Sequence, residues 1–217
     1  MRELDLAGLI FDLDGTLADT LPLCFLAFRQ SLRPYLGRDL SDEEIARHFG
    51  PSEEGILQRL VSDAWQTCLD AYLDTYAREH AAYSQAFVGL PEVLESLSRR
   101  GVRLGIVTGK GARSAALSLD AIGIRRYFDS VETGSAEGGV KPSAIRKIIA
   151  KWALSPSRIA YVGDQPTDVR DARHAGVLPI AAAWAKTANS LALRAEQPAF
   201  IFDTVAEFAV WMNAIMA

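Results

Sequence analysis

The chain is poor in cysteine and histidine, and it has no lysine at all before position 110. Two cysteines in 217 residues, Cys24 and Cys68, are too few for a disulfide framework and read as buried, reduced thiols. The three histidines, His48, His80 and His174, stand without partners at metal-ligand spacing, which leaves surface or core roles for them. Long apolar runs are also missing. The longest, residues 177–185, is interrupted by Pro179 and falls far short of the ~20 residues a membrane span needs. The first residues hold only a short apolar run before carboxylates interrupt it, so a signal peptide is not expected there. Nor is there a basic excess: 23 Lys and Arg face 27 Asp and Glu, so nothing here matches the charge that nucleic acid or an anionic membrane demands. The expectation is a soluble, cytoplasmic protein without nucleic-acid or membrane partners. With 49% hydrophobic residues the chain can offset its ordering entropy, so disorder is excluded.

What is present is an alternation. Short apolar runs at residues 6–11, 102–107, 128–132, 159–162, 178–183 and 200–202 are separated by segments of helical period at 91–100, 112–122, 143–152 and 167–175. Continuous apolar strands between amphipathic helices indicate a parallel sheet covered on both faces, a Rossmann-like three-layer α/β/α core. Pro91 sits where a helix should begin, and Gly101 and Gly123 where helices should stop.

Residues 20–82 break the pattern, because they contain no strand-like run. Leu21, Phe25, Phe28 and Leu32 recur at helical spacing, as do Leu57, Val61, Trp65, Cys68, Tyr72 and Tyr76. Ser41 followed by Glu44 is a capping-box signature. A length of 217 is about one and a half domains at ~150 residues each. The expected division is a core of residues 1–16 and 85–217 with an all-α insert, residues 17–84, after the first strand. The insert holds eleven acidic side chains and six arginines, a net of −5, and all five lysines lie outside it.

In an open parallel sheet, ligands bind beyond the carboxyl ends of the strands. Four segments fall there: Asp12-Leu13-Asp14-Gly15-Thr16-Leu17, Thr108-Gly109-Lys110, Lys141-Pro142 after Gly138-Gly139-Val140, and Gly163-Asp164-Gln165-Pro166-Thr167-Asp168. Four carboxylates on one rim would repel one another, and a divalent hard cation such as Mg²⁺, with its preference for oxygen ligands and substrate phosphate, resolves the conflict. A lysine adds a point charge suited to phosphate. Such a set is what phosphoryl transfer requires. Lys110 opposes the dipole of the helix it precedes, so a local anion is expected beside it. Asp164 is expected to cap the helix that Pro166 begins as well as to bind metal.

These segments, in this order, resemble the four motifs of the haloacid dehalogenase-like hydrolase superfamily. The helical insert resembles the cap of its phosphoglycolate phosphatase and β-phosphoglucomutase branch, and the resemblance as a whole covers residues 8–184. The resemblance implies roles. Asp12 is the nucleophile that forms an aspartyl-phosphate, and Asp14 is the general acid and base. Thr108 and Lys141 hold the transferring phosphoryl group. Asp12, Asp14 (through its carbonyl), Asp164 and Asp168 hold Mg²⁺. Gly15, Thr16, Gly109, Lys110 and Arg47 are the further phosphate- or substrate-binding candidates. The implied substrate is a small phosphorylated metabolite, phosphoglycolate-like or a sugar phosphate, handled by a monomer or weak homodimer.

Asp14 argues against dehalogenation, since halide needs no acid to leave. A phosphosugar mutase stays open, although Gly50-Pro51-Ser52-Glu53-Glu54 is acidic where a cation for a second phosphate is wanted; Arg47, His48 or Arg29 would have to supply it. A phospho-acceptor signalling module and a non-catalytic relative also stay open. Gly109 where Asn is frequent, and Ser143 after Lys-Pro, depart from the family pattern without removing a catalytic group.

Overall fold

Strand β1 (Gly8–Phe11) is buried along its whole length, and its alternation decides the architecture: Leu9 and Phe11 enter one apolar cluster and Ile10 another. The computed structural model describes residues 4–83 and 85–216. Five further strands, β2 (Arg103–Val107), β3 (Ser130–Glu132), β4 (Ile159–Gly163), β5 (Leu178–Ala182) and β6 (Phe200–Phe202), join β1 in one sheet. The order is β3-β2-β1-β4-β5-β6 and every pairing is parallel. The order reverses between β1 and β4, which is where an open sheet of this kind leaves a crevice.

The chain enters α1 (Leu21–Leu36), α2 (Asp42–Ala46), α3 (Glu53–Val61) and α4 (Trp65–Tyr83) after β1. It returns to the sheet through α5 (Leu90–Arg99) before β2 and α6 (Ala112–Ala121) before β3. The remaining helices are α7 (Lys141–Trp152), α8 (Pro166–Ala175), α9 (Ser190–Ala195) and α10 (Val205–Ile215). One face of the sheet is covered by Val93, Leu94 and Leu97 of α5, Leu119 of α6 and Phe208 and Met212 of α10. The other is covered by Ile145, Ile148 and Trp152 of α7 and Ala172 of α8. These are the three layers that the strand and helix periods predict. No helix among the described residues is long and apolar enough to cross a membrane.

Helices α1 to α4 have an apolar cluster of their own, built from Leu23, Phe28, Leu57, Tyr72 and Tyr76 among others, with Leu117 of α6 packed against it from below. The capping box at Ser41 forms as the spacing predicts, with Glu44 N donating to Ser41 Oγ and Ser41 N to Glu44 Oε2. The segments that lead into and out of these helices touch. Ala18 bridges Ala86 in antiparallel sense, and Phe87 N donates to Leu17 O at 3.2 Å.

Two boundaries differ from the sequence reading. Helix α7 starts at Lys141, not at residue 143, because Pro142 is tolerated in a first turn that needs no N–H. Asp164 does not cap α8: the cap is Gln165, closed by a capping box with Asp168, while the Asp164 oxygens accept from Thr16 and Gln165 side chains.

Candidate active site

Asp12 follows β1 directly, and its N–H continues the ladder to Val162 O of β4 at 2.9 Å. The chain then needs a left-handed turn at Gly15 (φ 80°), where a Cβ would lie 2.5 Å from Asp164 Oδ2. Only glycine fits there, so Asp14-Gly15 folds back against the end of β4. Thr16 is fully buried and its hydroxyl donates to Asp164 Oδ1 at 3.1 Å; it orients that carboxylate and does not line the cavity. Trp184 N–H fixes the same loop by donating to Thr16 O at 3.0 Å.

Asp12, Asp164 and Asp168 each offer an oxygen within 4.8 Å of the other two, and all three are buried. Asp168 is held in place by Gln165 N–H at 2.9 Å on Oδ2 and by Lys141 Nζ at 2.6 Å on Oδ1. Lys141 Nζ also lies 3.2 Å from Asp12 Oδ1, off the direction of a hydrogen bond, so that buried oxygen keeps no hydrogen-bond partner. Burial pushes the Asp12 carboxyl up to about 7, with Lys141 opposing and Asp168 and Asp14 adding to the rise. Burial and the charges of Asp168 and Asp12 raise Asp164 well above the usual carboxylate range. Burial disfavours the Lys141 ammonium, but Asp12 and Asp168 outweigh it and hold its pKa well above the ordinary value. An oxygen-only set of crowded, desolvated carboxylates with one orphaned oxygen fits a hard divalent cation. The carboxylate of Asp14 is not part of that trio.

A cavity of about 560 Å³ opens over this cluster, between the carboxyl ends of the strands and the four inserted helices. Asp12, Asp14, Thr108, Gly109, Lys110 and Lys141 line it. Arg47 does not: it is exposed at the end of α2, because the buried Ile45 fixes which side of that short helix faces inward. Arg29 is also spent elsewhere, on Asp42 and on Leu40 O. Neither arginine supplies the cation that a second phosphate would need.

Lys110 turns away from the metal cluster. Its ammonium is buried, 3.2 Å from Asp14 Oδ1 and 3.5 Å from Glu53 Oε1, donates to Cys24 Sγ at 3.1 Å, and lies over the Tyr76 ring. Burial alone would lower its pKa; the Asp14 carboxylate and the groups around it raise it well above the ordinary value. Burial pushes the Cys24 thiol up to about 11 against the pull of Lys110, so the sulfur stays protonated at neutral pH. Asp14 Oδ1 also accepts the Thr20 hydroxyl.

Glu53 was not singled out as a binding residue by the sequence, although a signal for it existed: the unneutralised lysine at a helix start. Its Oε2 accepts Gly111 N–H at 2.5 Å, the N-cap of α6, and Oε1 accepts Ser114 Oγ at 2.6 Å. The expected anion beside Lys110 is therefore a pair, Asp14 from the β1 loop and Glu53 from the insert.

The sequence and fold comparisons agree with this geometry. A model of the haloacid dehalogenase-like hydrolase family matches residues 9–182. The chain is 28% identical over 200 residues to the pyrophosphatase PpaX of Oceanobacillus iheyensis, covering 91% of this chain and 92% of that protein. It is 25% identical over 179 residues to the phosphoglycolate phosphatase of Aquifex aeolicus, covering 81% and 84%. A solved haloacid dehalogenase-like hydrolase from Streptococcus pneumoniae superposes with a TM-score of 0.77 at 26% identity, over 96% of this chain and 99% of that one. A match running from β1 to β5 takes in every strand end that carries an aspartate of the buried trio, and on that ground the chain belongs to the haloacid dehalogenase-like hydrolase family.

Proposed function

We propose that the protein is a Mg²⁺-dependent phosphatase that hydrolyses a small phosphate monoester through an aspartyl-phosphate on Asp12. The observation that carries this reading is the buried trio Asp12, Asp164 and Asp168 with Lys141 between two of its members. Relatives named as a pyrophosphatase and a phosphoglycolate phosphatase support phosphoryl hydrolysis, the second of them on a phosphate monoester. Asp12, Asp164, Asp168 and the Asp14 carbonyl would hold Mg²⁺, which when bound would supply charge neutralisation at the phosphoryl oxygens.

Asp12 attacks phosphorus in line with the leaving oxygen; the new bond joins its carboxylate oxygen to phosphorus as the ester P–O bond breaks. Asp14, which lines the same cavity, gives its proton to the leaving alcohol. The deprotonated Asp14 then takes a proton from water, whose oxygen attacks phosphorus and releases Asp12 and inorganic phosphate. Lys141 balances charge on the phosphoryl group and on Asp12. The Thr108 hydroxyl, which accepts Lys110 N–H at 3.2 Å, keeps its own proton for a phosphoryl oxygen. Gly109 lies at the same cavity wall.

Residues 17–84 act as a cap on a core of residues 1–16 and 85–217, closing over the cavity and excluding water. The test is a panel of phosphate monoesters assayed with Mg²⁺, with EDTA and with Asp12→Asn. Turnover is expected only with Mg²⁺ and the native Asp12. Activity that survives Asp12→Asn, or that ignores EDTA, overturns the reading.

A further inference from the structure

The cavity has a charged end and an apolar end. At the charged end stand Asp12, Thr108 and Lys141; the wall given by the inserted helices carries Leu21, Phe25, Phe28, Phe49 and Pro51. The rings of Phe25 and Phe49 are nearly parallel, 6° apart in plane with centroids 5.7 Å apart, and Phe28 lies tilted 6.4 Å from Phe49. Phe28 is buried, whereas Phe49 is 40% exposed at the mouth. A flat apolar surface at the open end of a reaction cavity is a surface for a ligand.

The charges point the same way. Among the described lining residues the cations are Lys110 and Lys141, and each already lies between two carboxylates. Lys110 is a single ammonium set between the carboxyl groups of Asp14 and Glu53. Glu53 cannot simply swing aside. Gly111 N–H and Ser114 Oγ grip its two oxygens, and Ser52 N–H docks on Ser135 O at 2.8 Å. Behind it, Gly55 lets α3 approach the Ala136 carbonyl more closely than any side chain would allow. The carboxylate is part of the built wall. It stands on a lysine that could otherwise have received a substrate anion.

We propose that this cavity takes phosphate monoesters whose leaving alcohol is uncharged and carries an aromatic face, and that Glu53 turns away anionic leaving groups. The inference rests on the phosphatase reading above and narrows it. Specificity of this kind combines an attractive surface, the phenylalanine wall, with a repulsive one, the carboxylate.

Benzyl phosphate and 2-phosphoglycolate share the same CH2–O–phosphate unit and differ in phenyl against carboxylate, so their ratio isolates recognition of the leaving group. The expected kcat/KM is at least tenfold higher for benzyl phosphate. Glu53→Gln should shrink that ratio at least threefold by raising phosphoglycolate turnover. Phe49→Ala, a change at a position 40% exposed, should lower kcat/KM for benzyl phosphate at least fivefold more than for 2-hydroxyethyl phosphate. Calorimetry with benzylphosphonate and phosphonoacetate, with and without Mg²⁺, reads the same preference without turnover, and benzylphosphonate is expected to bind at least tenfold tighter. Equal or better use of phosphoglycolate or pyrophosphate, an equal loss on all esters in Phe49→Ala, or no binding of benzylphosphonate each overturns the proposal. Turnover without the preference sinks this inference and leaves the phosphatase reading intact. The binding preference without any turnover does the reverse.

Discussion

Two lysines line this cavity, and each is set between two carboxylates whose places in the chain differ. Lys141 lies between Asp12 and Asp168, both fixed by the ends of β1 and the start of α8, so its counter-charges belong to one packed sheet unit. Lys110 lies between Asp14 of that unit and Glu53 of the inserted helices. Both partners of the first lysine therefore belong to the sheet unit, while the second draws one of its two from the inserted helices. A buried ammonium that loses one of two carboxylates loses much of what offsets its desolvation. On the mechanism proposed above, Lys141 serves bond-breaking, and Lys110 links Asp14 to a carboxylate of the inserted helices.

Variants at these positions can break the contrast. The largest effect is expected from Asp12→Asn, which removes the nucleophile and should lower kcat by at least on the order of 10⁴-fold in the monoester assay. Lys141→Met should follow with a loss of roughly 10²–10³-fold in kcat, the scale of losing one preorganised charge at the reacting group. Lys110→Met should act first on stability. Leaving Asp14 and Glu53 without their shared cation costs about 3 kcal/mol in urea unfolding, with a smaller kcat loss than Lys141→Met. Equal losses of kcat in the two lysine variants would erase the division.

The last effect is electrostatic and depends on pH. Folded Asp12 binds its proton up to about pH 7, against 3.8 for an ordinary aspartate. The folded state therefore holds this proton more tightly than the unfolded chain. The stability it lends is complete below about pH 4 and lost as pH rises towards 7. In EDTA, the Tm of Asp12→Asn should gain on that of the native protein across that window by a few degrees, and Mg²⁺ should reverse the order at pH 7 because it needs the deprotonated carboxylates. A difference that does not change between pH 4 and 7 would mean that Asp12 is not desolvated as described.

The placement of the candidate residues on one rim was legible because its determinants are short-ranged. A strand must end where its apolar run ends, and Asp12, Thr108 and Asp164 follow their strands within a residue. Asp168 was legible as well, although its dual part in the α8 capping box and the lysine pair was not. The insert was readable as helices but not as a surface. Which side of α2 faces inward is settled by the burial of Ile45, and that sends Arg47 to solvent. The partners of Lys110 stand 57 residues earlier in Glu53 and 86 earlier in Cys24, separations that no local pattern encodes. Helix α9 escaped for a simpler reason: at six residues it is too short to show a period.

The bridge between Ala18 and Ala86 has a bearing on how such a protein can change. Antiparallel bridge partners stand about 5 Å apart, a gap that a two-residue hairpin turn spans. The chain thus leaves and re-enters the sheet through a single doorway. Everything beyond it can be shortened, lengthened or exchanged as one cassette, while the six parallel strands and their aspartates are inherited intact. In such a layout the helical wall of the cavity is written in one contiguous stretch of the gene, and the buried aspartates in the rest.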